Sequence, residues 1–253
     1  MSEQTATAAD VQAPAHTPES ELPLLVKVSR ALRSFVQFFG LIGSWMILPL
    51  ILVTMWDVGI RSFGAWQMDM RDQYGWIFES TVLQEWEWHF HTALFALVLG
   101  YGYIWNTHVR VDLVRETLSF RKKAWLEFLG TTFFLLPYCA VVTYFAFEYA
   151  YDSWAISEIS ASTVGLSHRW IIKSVLVLGL ILAGLAGLAV WCQTVVVLFG
   201  PQNIRFKLMT LEWPEEAGGK IEGKERLKLE ELDDLLEVKA REREERLKAQ
   251  GKA

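Results

Sequence analysis

The sequence predicts an all-α integral membrane protein: four transmembrane helices, both termini on the cytoplasmic side, and a charged helical C-terminal tail. Of the 253 residues, 52% are hydrophobic and 13% aromatic, and the mean hydropathy is +0.23, more apolar than one globular core requires. The charged residues, 21% of the chain, gather outside four long apolar stretches. Each stretch reaches the roughly 20 residues that a helix needs to cross about 30 Å of hydrocarbon. Lipid offers the backbone no hydrogen-bond partners, so a single chain of this kind crosses as helices. A net charge of −5 excludes a nucleic-acid binder, whose phosphate contacts need a basic surface. Cys139 and Cys192 are too few, and too deep in apolar sequence, for a disulfide or zinc framework.

The elements follow in order. Residues 1–33 read as a cytoplasmic N-terminal segment: the first 20 or so are rich in Ala, Thr, Glu and Pro and hold no apolar run of a signal peptide, so a disordered, uncleaved tail is expected. A transmembrane domain spans 34–200. Its first helix, about 34–58, lies between Arg33 and Asp57; the second, about 86–107, between Glu87 and Arg110; the third, about 124–148, between Glu127 and Glu148; the fourth, about 170–199, holds no charge between Lys173 and Arg205. Pro49 and Pro137 fall inside the first and third, where neighbouring helices tolerate kinks. Residues 201–253 form a charged cytoplasmic tail. Acid-first pairs four apart, Glu222/Arg226, Glu237/Arg241, Glu242/Arg246 and Glu244/Lys248, favour a helix there. The short stripe Leu229, Leu232 and Leu236 leaves that helix mostly solvated.

Basic residues near helix ends are retained on the cytoplasmic side. Lys27, Arg30 and Arg33 precede the first helix, Arg110, Arg115, Arg121, Lys122 and Lys123 crowd the second connection, and Arg205 and Lys207 follow the last helix. The first and third connections hold fewer cations, and Trp66, Trp76, Trp86, Trp88, Trp154 and Trp170 gather there as an aromatic belt facing outward. Gly179, Gly184 and Gly187, with Ala183 and Ala186, let another helix approach the fourth closely.

Few residues invite chemistry. His89 and His91 are two apart, about 200° around a helix, so one metal ion cannot take both. Either could pair with His168 as haem ligands, which makes a cytochrome b-type membrane anchor the alternative reading. Asp57 and Arg61 stand four apart, acid first, as an intrahelical pair; Lys173, one turn inside the fourth helix, can snorkel outward; Arg110 and Asp112, two apart, cannot face each other on one helix. There is no phosphate-binding G-x-x-x-x-G-K-[ST] loop and no G-x-S-x-G elbow. Neither catalytic nor metal-binding residues are expected, no cofactor is implied, and the reading is not an enzyme.

Several runs stand in register. They are Asp57-Val58-Gly59-Ile60-Arg61-Ser62-Phe63-Gly64, Gln84-Glu85-Trp86-Glu87-Trp88-His89, His108-Val109-Arg110-Val111-Asp112, Ser119-Phe120-Arg121, Pro137-Tyr138, Ser153-Trp154 and Arg169-Trp170-Ile171-Ile172-Lys173. In order and spacing this pattern resembles the small permease subunit of tripartite ATP-independent periplasmic (TRAP) transporters, over about residues 35 to 200, and within it the mannitol or chloroaromatic subgroup. The charged tail departs from the family pattern. The resemblance implies a multi-pass protein of the bacterial inner membrane that scaffolds a separate large permease. In such a system a periplasmic binding protein delivers the solute, an organic acid or polyol, and an ion gradient drives uptake. Its implied contact residues are Glu85, His108, Arg110 and Asp112, then Asp57 and Arg61. Glu85 and Trp88 would meet the large permease or the binding protein at the outer face, while His108, Arg110 and Asp112 would fix the inner loop through hydrogen bonds and phospholipid. Trp170 and Lys173 complete the set as interfacial contacts. Membrane lipids are the remaining partner.

Overall fold

The computed structural model describes residues 17–108, 115, 118–201 and 203–213. The charged C-terminal pairs, Arg110, Asp112 and the first sixteen residues lie outside that set. The described residues contain helices and no strands. They comprise α1 (Leu24–Trp45), α2 (Ile47–Arg61), α3 (Gly64–Tyr74), α4 (Ser80–Ile104), α5 (Phe120–Gly130), α6 (Leu136–Ala155) and α7 (Trp170–Phe199). Short 3-10 turns at Glu19–Glu21 and Gly75–Phe78 and a π turn at Thr131–Leu135 complete them.

Two prolines shape the long helices. Pro49 has no N–H to give the carbonyl of Trp45, and α1 passes into α2 through a tighter turn there, with the Met46 N–H on the Gly43 carbonyl at 3.0 Å. Pro137 likewise leaves the Phe133 carbonyl without its usual donor, and the wider π turn before it absorbs the mismatch. Counted through these joints, Leu24–Arg61, Phe120–Ala155 and Trp170–Phe199 are long and apolar enough to cross a membrane. At 1.5 Å per residue all three exceed the roughly 30 Å of hydrocarbon, so their ends extend into or past the headgroups. α4 is not among the three, because Glu85, Glu87, His89 and His91 occupy its first turns.

Helix bounds differ from the sequence reading at several ends: the first helix starts at Leu24, ten residues earlier than 34, α4 starts at Ser80, six before 86, and α6 ends at Ala155, seven after 148. α3 is an additional helix in the first connection. It turns back through Gly75, whose φ of 71° needs no side chain in the way. The Trp56 indole donates to the Ile77 carbonyl at 2.8 Å and Gln67 to that of Phe78 at 3.0 Å, with the Trp56 and Trp66 rings both 5.6 Å from Phe78.

The packed centre lies where α4 meets α7, with α1 against both and α6 against α7. Close approach is made by small residues. A β-carbon on Gly100 would stand 2.7 Å from the Leu182 carbonyl oxygen, and one on Gly179 would stand 2.5 Å from that of Ala96. Ala96-x-x-x-Gly100 thus faces Gly179-x-x-x-Ala183, a small-residue seam of the kind that holds helices together in lipid. The buried Ser29 hydroxyl donates to the Ala189 carbonyl at 2.8 Å and fixes α1 on α7.

Thr17 and residues 205–213 belong to a second compact unit. In its described part the Thr17 N–H donates to the Arg205 carbonyl and the Arg205 N–H to the Thr17 hydroxyl, both at 2.9 Å. The Trp213 indole donates to the Phe206 carbonyl at 2.7 Å, beneath the Arg205 guanidinium, 4.6 Å from the ring centre.

Candidate functional site

Polar side chains concentrate at the end of the bundle where α2 finishes and α7 begins, called here the Arg61 end. The loop from Ile156 to Arg169 is built there from its first residue. Ser157, at φ 49°, closes α6 with its N–H on the Trp154 carbonyl at 3.0 Å, and the Glu158 N–H reaches the Ser153 carbonyl at 2.9 Å. This double closure satisfies carbonyls that the helix end would otherwise leave open. The Ser160 N–H then donates to the Leu166 carbonyl at 3.1 Å, folding the loop tip on itself, and the Arg169 N–H returns to the Glu158 carbonyl at 3.2 Å.

Glu85, in the second turn of α4, holds that tip. One carboxylate oxygen accepts from the Ser160 hydroxyl and the other from the Leu166 N–H. Lys173 pairs with Glu158 and stands 3.7 Å from the centre of the Tyr149 ring. Lys173 holds the Glu158 carboxyl below the usual range for a glutamate. Arg169 lies over Trp88, 5.1 Å from the ring centre, and Trp88 packs at 4.0 Å on the His89 ring, whose Nδ1 is 2.6 Å from the Glu85 carbonyl.

A second cluster ties α2 to α4. Asp57 is fully buried and accepts from Arg61 and from the Ser80 hydroxyl, the latter at 2.6 Å. With its oxygen turned to the guanidinium, the Gln84 amide accepts from Arg61 at 2.6 Å.

At the opposite end, α4 closes with Asn106 at φ 56°, its N–H on the Tyr103 carbonyl at 3.1 Å and the Thr107 N–H on the Gly102 carbonyl at 3.0 Å. His108 follows, exposed, with its ring 6.2 Å from Tyr103. The Tyr103 hydroxyl donates to Glu127 at 3.0 Å, and Arg115 stands 3.6 Å from the same carboxylate. Arg33 lies over Trp105, 4.7 Å from the ring centre.

The structure therefore brings together Glu85, Trp88 and Lys173 around one loop, and Asp57 with Arg61 nearby. Trp170 sits apart, lining a largely apolar groove of about 270 Å³ with Phe147, Tyr151 and Trp154. His108 stands at the far end, and its sequence neighbours Arg110 and Asp112 fall outside the described residues. Ser160, Gly165 and Glu158 share the loop site but carry no motif that would announce them, and Arg169 joins them from the Arg169–Lys173 run. His89 is turned to its own helix and His168 contacts Ser167 at 2.8 Å on the exposed loop. Among the described residues no group of three or more His, Cys, Asp or Glu side chains is arranged to hold a metal ion.

Glu85, Glu158, Arg169, Lys173, Asp57 and Arg61 all find partners within the chain, so what the cluster does chemically is hold one loop against two helices. The segment that carries it, from the start of α4 into the last turns of α7, is also the segment with a known likeness. Residues 80–196 match the family described as tripartite ATP-independent periplasmic transporters, DctQ component. The match takes in Glu85, the 156–169 loop and Lys173, and stops short of α1, α2 and the charged tail. No curated protein and no solved structure matches the chain. Together, the DctQ likeness and the apolar helices mark a multi-pass membrane protein of a transport system.

Proposed function

We propose that the chain is the small membrane subunit of a TRAP-type transporter in a bacterial inner membrane, scaffolding a separate large permease. α4 is its fourth crossing, surrounded by α1, α2 and α7 and so less dependent on apolar side chains, and both termini lie on the cytoplasmic side. A periplasmic binding protein delivers the solute, an organic acid or a polyol of the mannitol or chloroaromatic type, and an ion gradient drives the large subunit. The observation that carries the reading is the DctQ match across α4–α7, coupled with polar side chains spent on intrachain pairs. A cluster whose charges are paired with one another holds a frame together rather than conducting ions.

On this reading Glu85 and Trp88 shape the outer loop that the partners meet, and His108, Arg110 and Asp112 orient the inner connection. The test is co-expression with the large permease and the binding protein encoded beside it. The tagged chain should retain the large permease through purification, and vesicles should take up solute only when all three proteins are present. Solute flux through the chain alone would end the scaffold reading. A Soret band in the purified chain would replace it with the haem anchor, which neither His89 nor His168, as placed, favours.

A further inference from the structure

α6 is the edge of the bundle. It packs on α7 through Ala146 and Ala150 against Val177, and the opposite side of the helix is open. Along that open side Phe134, Tyr138, Val141, Phe145 and Glu148 follow one another at spacings of three and four, all exposed. Tyr138 is 63% exposed and Tyr144, beside Val141, 61%. Neither hydroxyl has a hydrogen-bond partner among the described residues. Position 138 is also midway between Glu127 and Glu148, the charges that bound the apolar part of this crossing. A phenolic hydroxyl at the middle of a bilayer has no water to turn to, and acyl chains give it nothing.

The other broad exposed face contrasts with it. On α2 the exposed side chains of Ile47, Leu48, Ile51, Leu52 and Met55 contain no N–H or O–H group; the exposed indoles are those of Trp45 before them and Trp56 after them, the latter spent on the Ile77 carbonyl. That face suits lipid. The α6 face, with the Tyr138 phenol at mid-depth, that of Tyr144 two turns nearer the Arg61 end, and the exposed carboxylates of Glu148 and Asp152 at that end, suits protein.

Building on the proposed function, we infer that the Phe134–Glu148 face of α6 seats a transmembrane helix of the large permease subunit. That helix presents hydroxyl or amide side chains to Tyr138 at mid-depth and to Tyr144 one turn from Glu148, and a lysine or arginine near its end to Glu148 and Asp152. A second copy of this chain fits less well, since a two-fold contact through this face would set Glu148 and Asp152 against their own likes.

The experiment places the photo-crosslinker p-benzoylphenylalanine singly at positions 138, 145, 48 and 52 of the full chain, co-expressed with the large permease. Adducts with the large permease from 138 and 145, and none from 48 and 52, are expected. In parallel, the double variant Tyr138→Phe, Tyr144→Phe should keep its membrane level and retain the large permease about tenfold less well, the worth of two interhelical hydrogen bonds in a bilayer. Adducts from 48 and 52 in place of 138 and 145, adducts with a second copy, or lipid adducts alone would overturn the assignment. If the unsubstituted chain retains the large permease while 138 and 145 give no adduct with it, the face is wrong and the subunit reading stands. If the unsubstituted chain retains no large permease, the subunit reading itself fails.

Discussion

A β-carbon added to Gly165 would stand 2.6 Å from Glu85 Oε1. The loop tip and the carboxylate that holds it are thus fitted at contact distance across 80 residues of sequence, and only glycine leaves the space. Glu85 accepts two hydrogen bonds from the loop, and bonds to a charged acceptor are worth about 1.5–3 kcal/mol each. Glu85→Ala should therefore release the 156–169 loop, and Gly165→Ala should do the same by steric means. Limited proteolysis of the chain in detergent should find cleavage within 156–169 in both variants. A loop as resistant as the unsubstituted one would mean that Glu85 does not hold it.

The Glu158–Lys173 pair sets a pH dependence whose sign is fixed. Because Lys173 holds the folded-state carboxyl below its ordinary value, the unfolded chain binds the proton first as pH falls. The contribution to stability is complete above the ordinary glutamate range, near pH 4.3, and is lost as pH drops through the depressed folded value. Loop protection should be flat from neutral pH to about pH 5 and decline in stronger acid. Lys173→Met should remove that decline. A loop that loosens between pH 7 and 6 would point to a different group.

Asp57 and Arg61 should respond asymmetrically to substitution. The carboxylate is fully buried while the guanidinium side chain is 47% exposed, so the arginine can turn to water when its partner is gone and the aspartate cannot. Arg61→Ala leaves a buried charge with the Ser80 hydroxyl as its remaining direct donor, and should cost about 3–5 kcal/mol. Asp57→Asn, which keeps an acceptor for Ser80, should cost less, about 1–2 kcal/mol. Thermal unfolding of the two variants in the same detergent ranks them. The reverse order would show that the carboxylate is hydrated.

What the sequence made legible was local. The apolar stretches between charges became Leu24–Arg61, Phe120–Ala155 and Trp170–Phe199 because length and missing charge need no distant partner. The break at Met46 follows from Pro49 three residues on. α3 was not legible, since Gly64–Tyr74 mixes charged and aromatic residues with no apolar stripe and is steadied by Trp56 and Phe78 from outside itself. Nor was the loop site: Glu85 and Ser160 are 75 residues apart, and no spacing rule reaches that far. Glu85, Trp88 and Lys173 stand out in the sequence as contact residues, and the contacts the structure gives them are within the chain. Lys173, in particular, meets Glu158 and Tyr149.

Gly179, Gly184 and Gly187 of α7 look alike in the sequence as packing residues, and the structure separates them. A β-carbon on Gly179 would meet the Ala96 carbonyl carbon at 2.7 Å and its oxygen at 2.5 Å. Both are backbone atoms of a helix that cannot yield locally. On Gly184 the nearest atom is the Cys139 Cβ at 3.5 Å, an ordinary contact. Gly179→Ala should therefore force α4 and α7 apart along the whole Ala96/Gly100 seam, whereas Gly184→Ala should be neutral, or stabilising by about 0.4–1 kcal/mol through the unfolded chain. Gly100→Ala, which meets the Leu182 carbonyl at 2.7 Å, should resemble Gly179→Ala. The check is a disulfide reporter: Cys139→Ser and Cys192→Ser remove the native thiols, and cysteines placed at Ala96 and Ala183, both on the seam, then report the α4–α7 separation by the rate of oxidative cross-linking. Slower cross-linking in the Gly179→Ala and Gly100→Ala backgrounds, with Gly184→Ala unchanged, is the expected pattern. Equal rates in all three would mean that the seam is loose enough to admit a methyl group.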